Sequence, residues 1–561
     1  MSQPPLTRTP APALDLSRPG TPAAAVYDDI YFSTDGGLEE SRAVFLRGCG
    51  LPEGWAERDV FTIAELGFGT GLNFLAALEL WRESRAGGRL HFVSVEAFPW
   101  EREPLARALA AFPELAEHAG RLLDRWPGPV RGLHRVHFGE DVTLTLVHDE
   151  VLPALRALDL AADAWFLDGF SPAKNPDMWS AGVMAEMARL SAPGARLATF
   201  TAAGAVRRAL SDAGFEVERV PGFGRKRHRL EARLPGEAAP RHTPPAPTVI
   251  GAGIAGASVV RAFRRRGVEP RVIRDPDHVA ASGNGMALVK PRLDLNDHPA
   301  SRFFLSSFLY ARHAYRNAVL REGVTHIPKT ESEADRLRRI AEQSPLGPGH
   351  LDWQGDRLNM PSSLVIDTEA ALGDGFGDQL DDETRRVDSL SEVDGPLIVA
   401  CGYGVRRLLP ELGMRYARGQ LTVAHGPLDV PLTYGGYALP MDAHRVLLGA
   451  THDRVEAGND PFALRTHDDR RNMEAAAARG LAFSAPVPHR ASVRVNSPDT
   501  LPRMGRMDLP DGRRAHVLSG LGSRGFVFAP LLGEALVCDY LGEPGPLDRR
   551  FARRISPAPR P

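Results

Sequence analysis

Cysteine is scarce in this chain. Cys49, Cys401 and Cys538 are the only thiols in 561 residues, they lie far apart, and none belongs to a CxxC pair. That spacing excludes a disulfide framework and a Cys-rich zinc site; it fits a reducing cytoplasm, with no metal expected. Long apolar runs are lacking too. No stretch approaches the roughly eighteen apolar residues that a membrane-spanning helix needs, so no membrane association is expected. Strong charge of either sign is missing, the formal net charge being −2, and bulk charge by itself selects no partner. The first residues, MSQPPLTRTPAPALDLSRPGTPAA, are rich in Pro and Ala and lack the apolar core of a signal peptide. They read as a flexible tail over residues 1–24.

What is present falls into two halves. A chain of this length exceeds what one hydrophobic core supports. A Pro/Ala-rich stretch without apolar periodicity, residues 235–247, reads as a linker between domains at 25–234 and 248–561. In the first domain, strand-like segments at 61–66, 90–96, 142–150, 164–170 and 196–201 alternate with helical ones such as LNFLAALELWRES at 72–84. Alternation of this kind predicts a mostly parallel sheet covered by helices. The second domain opens with TVIGAGIAGASVVRAFRRRGVEPRVI, a strand–turn–helix–strand unit, and becomes less regular afterwards.

Each half carries a glycine knot between a strand and a helix. In AELGFGTGLNF, residues 64–74, glycines free the backbone for positive φ and let a ligand press against it. A Gly-rich turn at the end of a parallel strand serves NAD, another nucleotide or S-adenosylmethionine equally well. Glu96, closing the next strand, is placed to accept bonds from ribose hydroxyls, and Asp149, closing a later one, to meet an adenine. Asp168 stands at the end of WFLD among aromatic residues, as a catalytic or amine-orienting acid or as a turn residue. The run GFGRKRHR, 222–229, is a solvated loop or a phosphate-contacting patch.

ELGFGTGLNF, FVSVEAFP, WFLDGFSPAKNPDMW and GFGRKR together resemble the methyltransferase half of the MnmC family, bifunctional bacterial enzymes that finish a methylaminomethyl group on wobble uridine of transfer RNA. The resemblance implies S-adenosylmethionine at Glu65, Gly67, Gly69, Gly71, Glu96 and Asp149, with Asp168 catalytic near the accepting amine. It also implies contact with the anticodon loop of transfer RNA, through Arg225, Lys226, Arg227 and Arg229.

The second knot, VIGAGIAGAS, has the dinucleotide fingerprint at Gly251, Gly253 and Gly256 in its full strand-and-helix context, which suits FAD or NAD(P). The acid expected at the end of the following strand is displaced: Arg274 stands there and Asp275 follows. Later segments resemble flavin oxidases of the amino-acid oxidase type. They are the loop with Ser282 and Asn284, the Arg494…Pro498-Asp499…Gly505 pattern of glycine and sarcosine oxidases, and a Gly-rich turn with Gly522, Ser523, Arg524 and Gly525 before a last helix. A helix N-terminus of that kind steadies an anionic reduced flavin, and Arg494 can grip a substrate carboxylate.

The resemblance covers both halves of the chain. It implies an α/β protein in which a Rossmann-like methyltransferase precedes a glycine-oxidase-like, DAO-type FAD domain with an α+β substrate subdomain. It implies oxidative removal of a carboxymethyl group from the uridine's secondary amine, then N-methylation of the freed amine, by a monomeric cytoplasmic enzyme. A fused methyltransferase and amine oxidase acting on a free small amine is the alternative. The stretch from Ala300 to Leu390 carries no motif that matches.

Overall fold

The structure is a computed structural model that describes residues 9–557, apart from 11, 16–21, 25–28, 33–35, 225, 238–243, 378–381 and 457. It divides into two compact units. One holds Thr7–Thr243 with Gly542–Arg550, and the other Pro244–Leu541 with the segment that begins at Phe551. The nine residues 542–550, which the sequence reading left with the second domain, thus cluster with the first.

The first unit is built on β1 (Val60–Leu66), α1 (Leu72–Ser84), β2 (Arg89–Glu96), β3 (Gly132–Phe138), β4 (Val142–His148), β5 (Ala162–Leu167), β6 (Ser191–Thr199), β7 (Glu216–Pro221) and β8 (His228–Arg233). The sheet order is β7-β8-β6-β5-β1-β2-β4-β3. β4, β2, β1, β5 and β6 run parallel, and β3 and the β7–β8 pair close the edges antiparallel. Every residue of β1 is buried, as a strand covered on both faces requires. Apolar side chains serve that need except at Thr62 and Glu65, 0% and 1% exposed. One face packs Phe74, Trp81 and Phe92, the other Val183, Met184 and Leu210. The sequence reading missed β3, β7 and β8, because these antiparallel strands at and next to the sheet edges mix charged and apolar residues and lose the continuous apolar signal.

The second unit contains two sheets. Its elements are β9 (Thr248–Ile250), α2 (Ile254–Arg264), β10 (Arg271–Arg274), β11 (Met286–Val289), β12 (Val319–His326), α3 (Glu331–Gln343), β13 (Arg357–Asp367), β14 (Asp382–Thr384), β15 (Leu397–Val399), β16 (Arg415–His425), β17 (Leu432–Thr433), β18 (Tyr437–Pro440), β19 (Arg445–Gly449), β20 (Ser484–Asn496), β21 (Arg503–Asp508), β22 (Arg514–Ser519) and α4 (Gly525–Leu541). The six-stranded sheet runs β14-β10-β9-β15-β22-β21, parallel except at the β21 edge. The larger, mixed sheet runs β11-β13-β12-β17-β18-β19-β16, with β20 paired to β16. The motif-free stretch after Ala300 supplies β12, α3 and β13 to this sheet. α4 crosses α2 where both are small: a Cβ on Gly533 would lie 2.7 Å from the Ser258 carbonyl carbon. Among the described residues no helix is long and apolar enough to cross a membrane.

Candidate active sites

In the first unit, β1 continues to β2 on one side while β5 and β6 lie on the other, so the strand order reverses between β1 and β5. A crevice opens at the carboxyl ends of such strands. Gly67 N donates to Val95 O at 2.9 Å and Asp168 N donates to Leu66 O at 3.1 Å, which brings the glycine turn and Asp168 side by side. A Cβ on Gly67 would sit 1.9 Å from Asp168 O, and its φ is +94°, so only glycine fits. Above them lies a cavity of about 840 Å³, walled by Gly67, Gly69, Glu96, Asp168 and the rings of Phe170 and Phe200.

Asn73, in the first turn of α1, ties the acids together. Its Nδ2 donates to Glu65 Oε1 at 2.9 Å and to Asp168 Oδ2 at 2.7 Å, and Ser94 Oγ donates to Glu65 Oε2 at 2.6 Å. Burial pushes Glu65 up to about 8 against these bonds. Burial likewise pushes Asp168 up to about 7; Glu40 adds to the rise, while Asn73 and Lys226 oppose it. Glu96 is also raised by burial, against N–H donors from Gly69 and Phe98, each at 2.8 Å. A carboxyl poised near neutrality is suited to taking a proton from an amine.

Gly67, Gly69 and Glu96 line the cavity, and three other residues named from the sequence, Glu65, Gly71 and Asp149, do not. Glu65 lies behind the wall, its oxygens engaged by Ser94 and Asn73. A Cβ on Gly71 would meet the Phe68 ring at 2.6 Å, so this glycine serves packing. Asp149 pairs with Arg131 at 2.9 Å, and its neighbour Glu150 lines the cavity instead. The basic run is only partly an open patch. Arg225 lies outside the described residues, and Arg227 is exposed. Lys226 is a cavity wall residue, paired with Glu40 at 2.9 Å and lying 4.4 Å from the Phe200 ring centre. Arg229 lies in β8, which begins at His228, and its guanidinium is held by Ala43 O at 2.6 Å and by Glu231. Asn73 was missed, although its place two residues after the last glycine of the knot was the available signal.

In the second unit a cavity of about 850 Å³ is lined by Gly251, Gly253, Ser282, Asn284, Arg494 and the turn Gly522–Gly525. All come from the segments singled out in the sequence. Ile254 N at the start of α2 donates to Ser282 Oγ at 3.1 Å, which ties the loop to the helix N-terminus. Gly256 does not line the cavity; a Cβ there would lie 1.9 Å from Gly251 O, so it lets the helix approach the turn. Asp275 lines an adjoining recess of about 230 Å³ that shares Gly251 and Gly253, with its Oδ2 3.5 Å from Arg407.

Arg494, on β20, reaches the cavity with a single hydrogen bond, to Thr451 O at 3.2 Å, and no acidic partner among the described residues. Burial pulls its pKa down. Gly419 on β16 makes room for it, since a Cβ there would meet Arg494 Nη1 at 2.5 Å. Arg418 and Gln420 do not line the cavity. They lie in a buried network with Asp468 and Asp469 that steadies β16. Tyr437 does line it. The sequence reading also missed Lys290, His326, Lys329, Glu333 and Arg336 in this cavity.

The residues present fit both cofactors. Asn73 Oδ1 at the first cavity, and Asn284 Oδ1 and Ser519 Oγ at the second, are buried polar atoms with no partner among the described residues, on side chains that line the cavities. A nucleotide-binding switch point beside an acid, followed by a dinucleotide turn beside an unpaired guanidinium, defines a bifunctional enzyme: an S-adenosylmethionine-dependent methyltransferase joined to an FAD-dependent oxidoreductase. Residues 113–235 match the family described as S-adenosyl-L-methionine-dependent methyltransferase, and residues 363–538 the family described as FAD dependent oxidoreductase. Over the whole length, the chain is 44% identical to the tRNA 5-methylaminomethyl-2-thiouridine biosynthesis bifunctional protein MnmC of Caulobacter sp. (strain K31), covering 96% of each chain. It is 44% identical to MnmC of Maricaulis maris, covering 94% of this chain and 92% of that one. It is 43% identical to MnmC of Caulobacter vibrioides, covering 96% and 95%. The chain belongs to the MnmC family.

Proposed function

We infer that this enzyme completes the side chain on the wobble uridine of transfer RNA in two steps, as a monomer in the cytoplasm. The carboxymethyl group of a carboxymethylaminomethyl uridine is first removed oxidatively, leaving a primary amine and glyoxylate. The freed amine is then methylated once. When bound, FAD supplies a hydride acceptor for the N–CH₂ carbon, and S-adenosylmethionine supplies a methyl already activated by its sulfonium.

The observation that carries this reading is Arg494, a half-buried guanidinium in the flavin cavity with no acid beside it among the described residues. A carboxylate held by that fork fixes the adjacent CH₂ in place. In the other cavity, Glu96 and the turn at Gly67–Gly69 are the residues to hold S-adenosylmethionine, and Asp168 the one to receive the amine proton. The aromatic walls limit water around the amine, and the base enters by leaving its single-stranded loop.

Family membership favours this substrate over a free small amine. Mass analysis of wobble nucleosides tests it, using transfer RNA from cells lacking the enzyme. Oxygen alone is expected to yield the primary amine, and oxygen with S-adenosylmethionine the methylated amine. Unchanged carboxymethylaminomethyl nucleoside in air counts against the reading.

A further inference from the structure

Arg494 and the glycine turns account for only part of the oxidase cavity. Lys290, Arg292, Lys329 and Arg336 line it as well. Arg292 is engaged by the Phe304 ring, 4.1 Å from its centre. The other three have no ion-pair partner among the described residues; Arg336 donates only to Leu293 O, at 3.2 Å. The one acid among the described lining residues is Glu333. Its oxygens are already engaged, by Lys329 N at 2.8 Å and by His326 Nε2 at 3.3 Å.

The placement of these cations is built in. Gly435 has φ +100°, and a Cβ there would lie 2.3 Å from Lys329 Nζ, so the backbone gives way to the ammonium. Lys329 is exposed, Arg336 half-buried, and Lys290 enclosed by the cavity, where burial and Arg524 push its pKa down to about 8. An ammonium enclosed like that of Lys290, with no ion-pair partner among the described residues, is costly unless an anion enters, and Arg336 and Lys329 extend the same positive wall toward solvent. The three residues belong to the larger sheet and its helix: Lys290 follows β11, Lys329 precedes α3, and Arg336 is on α3. The glycine turn that suits a flavin pyrophosphate belongs to the other sheet, at β9 and α2.

We propose that Lys329, Arg336 and Lys290 form an RNA phosphate subsite of the oxidase, which holds the phosphodiester flanking the wobble nucleotide while its modified arm reaches Arg494. This rests on the wobble-uridine reading above. Because single-stranded bases are presented on a charged backbone, a pocket that takes one base meets a phosphate at its rim.

The test uses the full chain loaded with FAD, without oxygen, and a fluorescent anticodon hairpin carrying the carboxymethylaminomethyl uridine. A second hairpin has an uncharged methylphosphonate at the flanking linkage. Binding is read by anisotropy for the unmodified chain and for the variant with Lys329→Ala and Arg336→Ala. Either change alone is expected to weaken binding about tenfold. Together they are expected to weaken it by clearly less than the product of the two losses, because both act on one interaction, to which only Lys290 still contributes in the variant. Lys329→Gln with Arg336→Gln repeats the comparison, and bound-flavin absorbance checks folding. Independent, multiplying losses, or no loss from the methylphosphonate, overturn the subsite. A hairpin that binds with this phosphate dependence yet is not oxidised when air is admitted overturns the proposed function and leaves the subsite standing.

Discussion

Replacing Glu65 by Gln tests how the methyltransferase cavity is held. Glu65 is 1% exposed and accepts from Ser94 at 2.6 Å and Asn73 at 2.9 Å. Burial raises it from 4.5 to about 8. Between those values the unfolded chain loses this proton while the folded one keeps it, so the group makes the native unit less stable as pH rises. Each pH unit is worth about 1.4 kcal/mol, so from pH 5 to 8 the wild type loses about 4 kcal/mol through this group. Glutamine has the shape of the neutral acid and no titration. The Glu65→Gln unit should therefore match the wild type near pH 5 and exceed it by about 4 kcal/mol at pH 8. Urea unfolding followed by tryptophan fluorescence reads this unit, since of the seven tryptophans all but Trp353 lie in it. A stability difference that does not change from pH 5 to 8 would refute the buried neutral acid. So would one that grows toward low pH.

Three further outcomes are expected. Asp168→Asn should lower methyl transfer by about 10²–10⁴-fold with flavin content unchanged, and wild-type methyl transfer should rise with pH through about 7 as this carboxyl ionises; a flat pH profile would speak for orientation alone. Gly419→Ala places a methyl 2.5 Å from Arg494 Nη1, so steady-state kinetics of the oxidase should show a raised KM for the carboxylate substrate while the protein stays yellow. Glu543→Ala removes the partner that Arg89 meets at 2.8 Å and His91 at 3.3 Å in a buried site; the tryptophan-monitored midpoint should drop, by about 3 kcal/mol for a broken buried pair, and an unchanged midpoint would show that residues 542–550 add nothing to the methyltransferase unit.

Much of this protein was legible from its sequence. The two glycine knots, the acid after WFLD and the arginine before the Pro-Asp pair each sit in a local pattern of strand, turn and helix, and local backbone needs are written in neighbouring residues. Gly67 and Gly251 had to be glycine because the backbone just past a neighbouring strand of the sheet, at Asp168 and Ala400, passes within contact distance, and the turn sequence carries that requirement. What the tertiary structure alone decided is which side chains meet. Asp149 went to Arg131, Arg229 into a strand paired on both sides, and Glu65 behind the wall, while Asn73 came to bridge two acids eight and ninety-five residues away. Of the cations of the oxidase cavity, Lys329 and Arg336 come from a stretch without any recognised motif, brought to the site by the larger sheet and its helix. Charge pairing and burial depend on distances across strands far apart in the chain, and no local pattern encodes a distance of that kind.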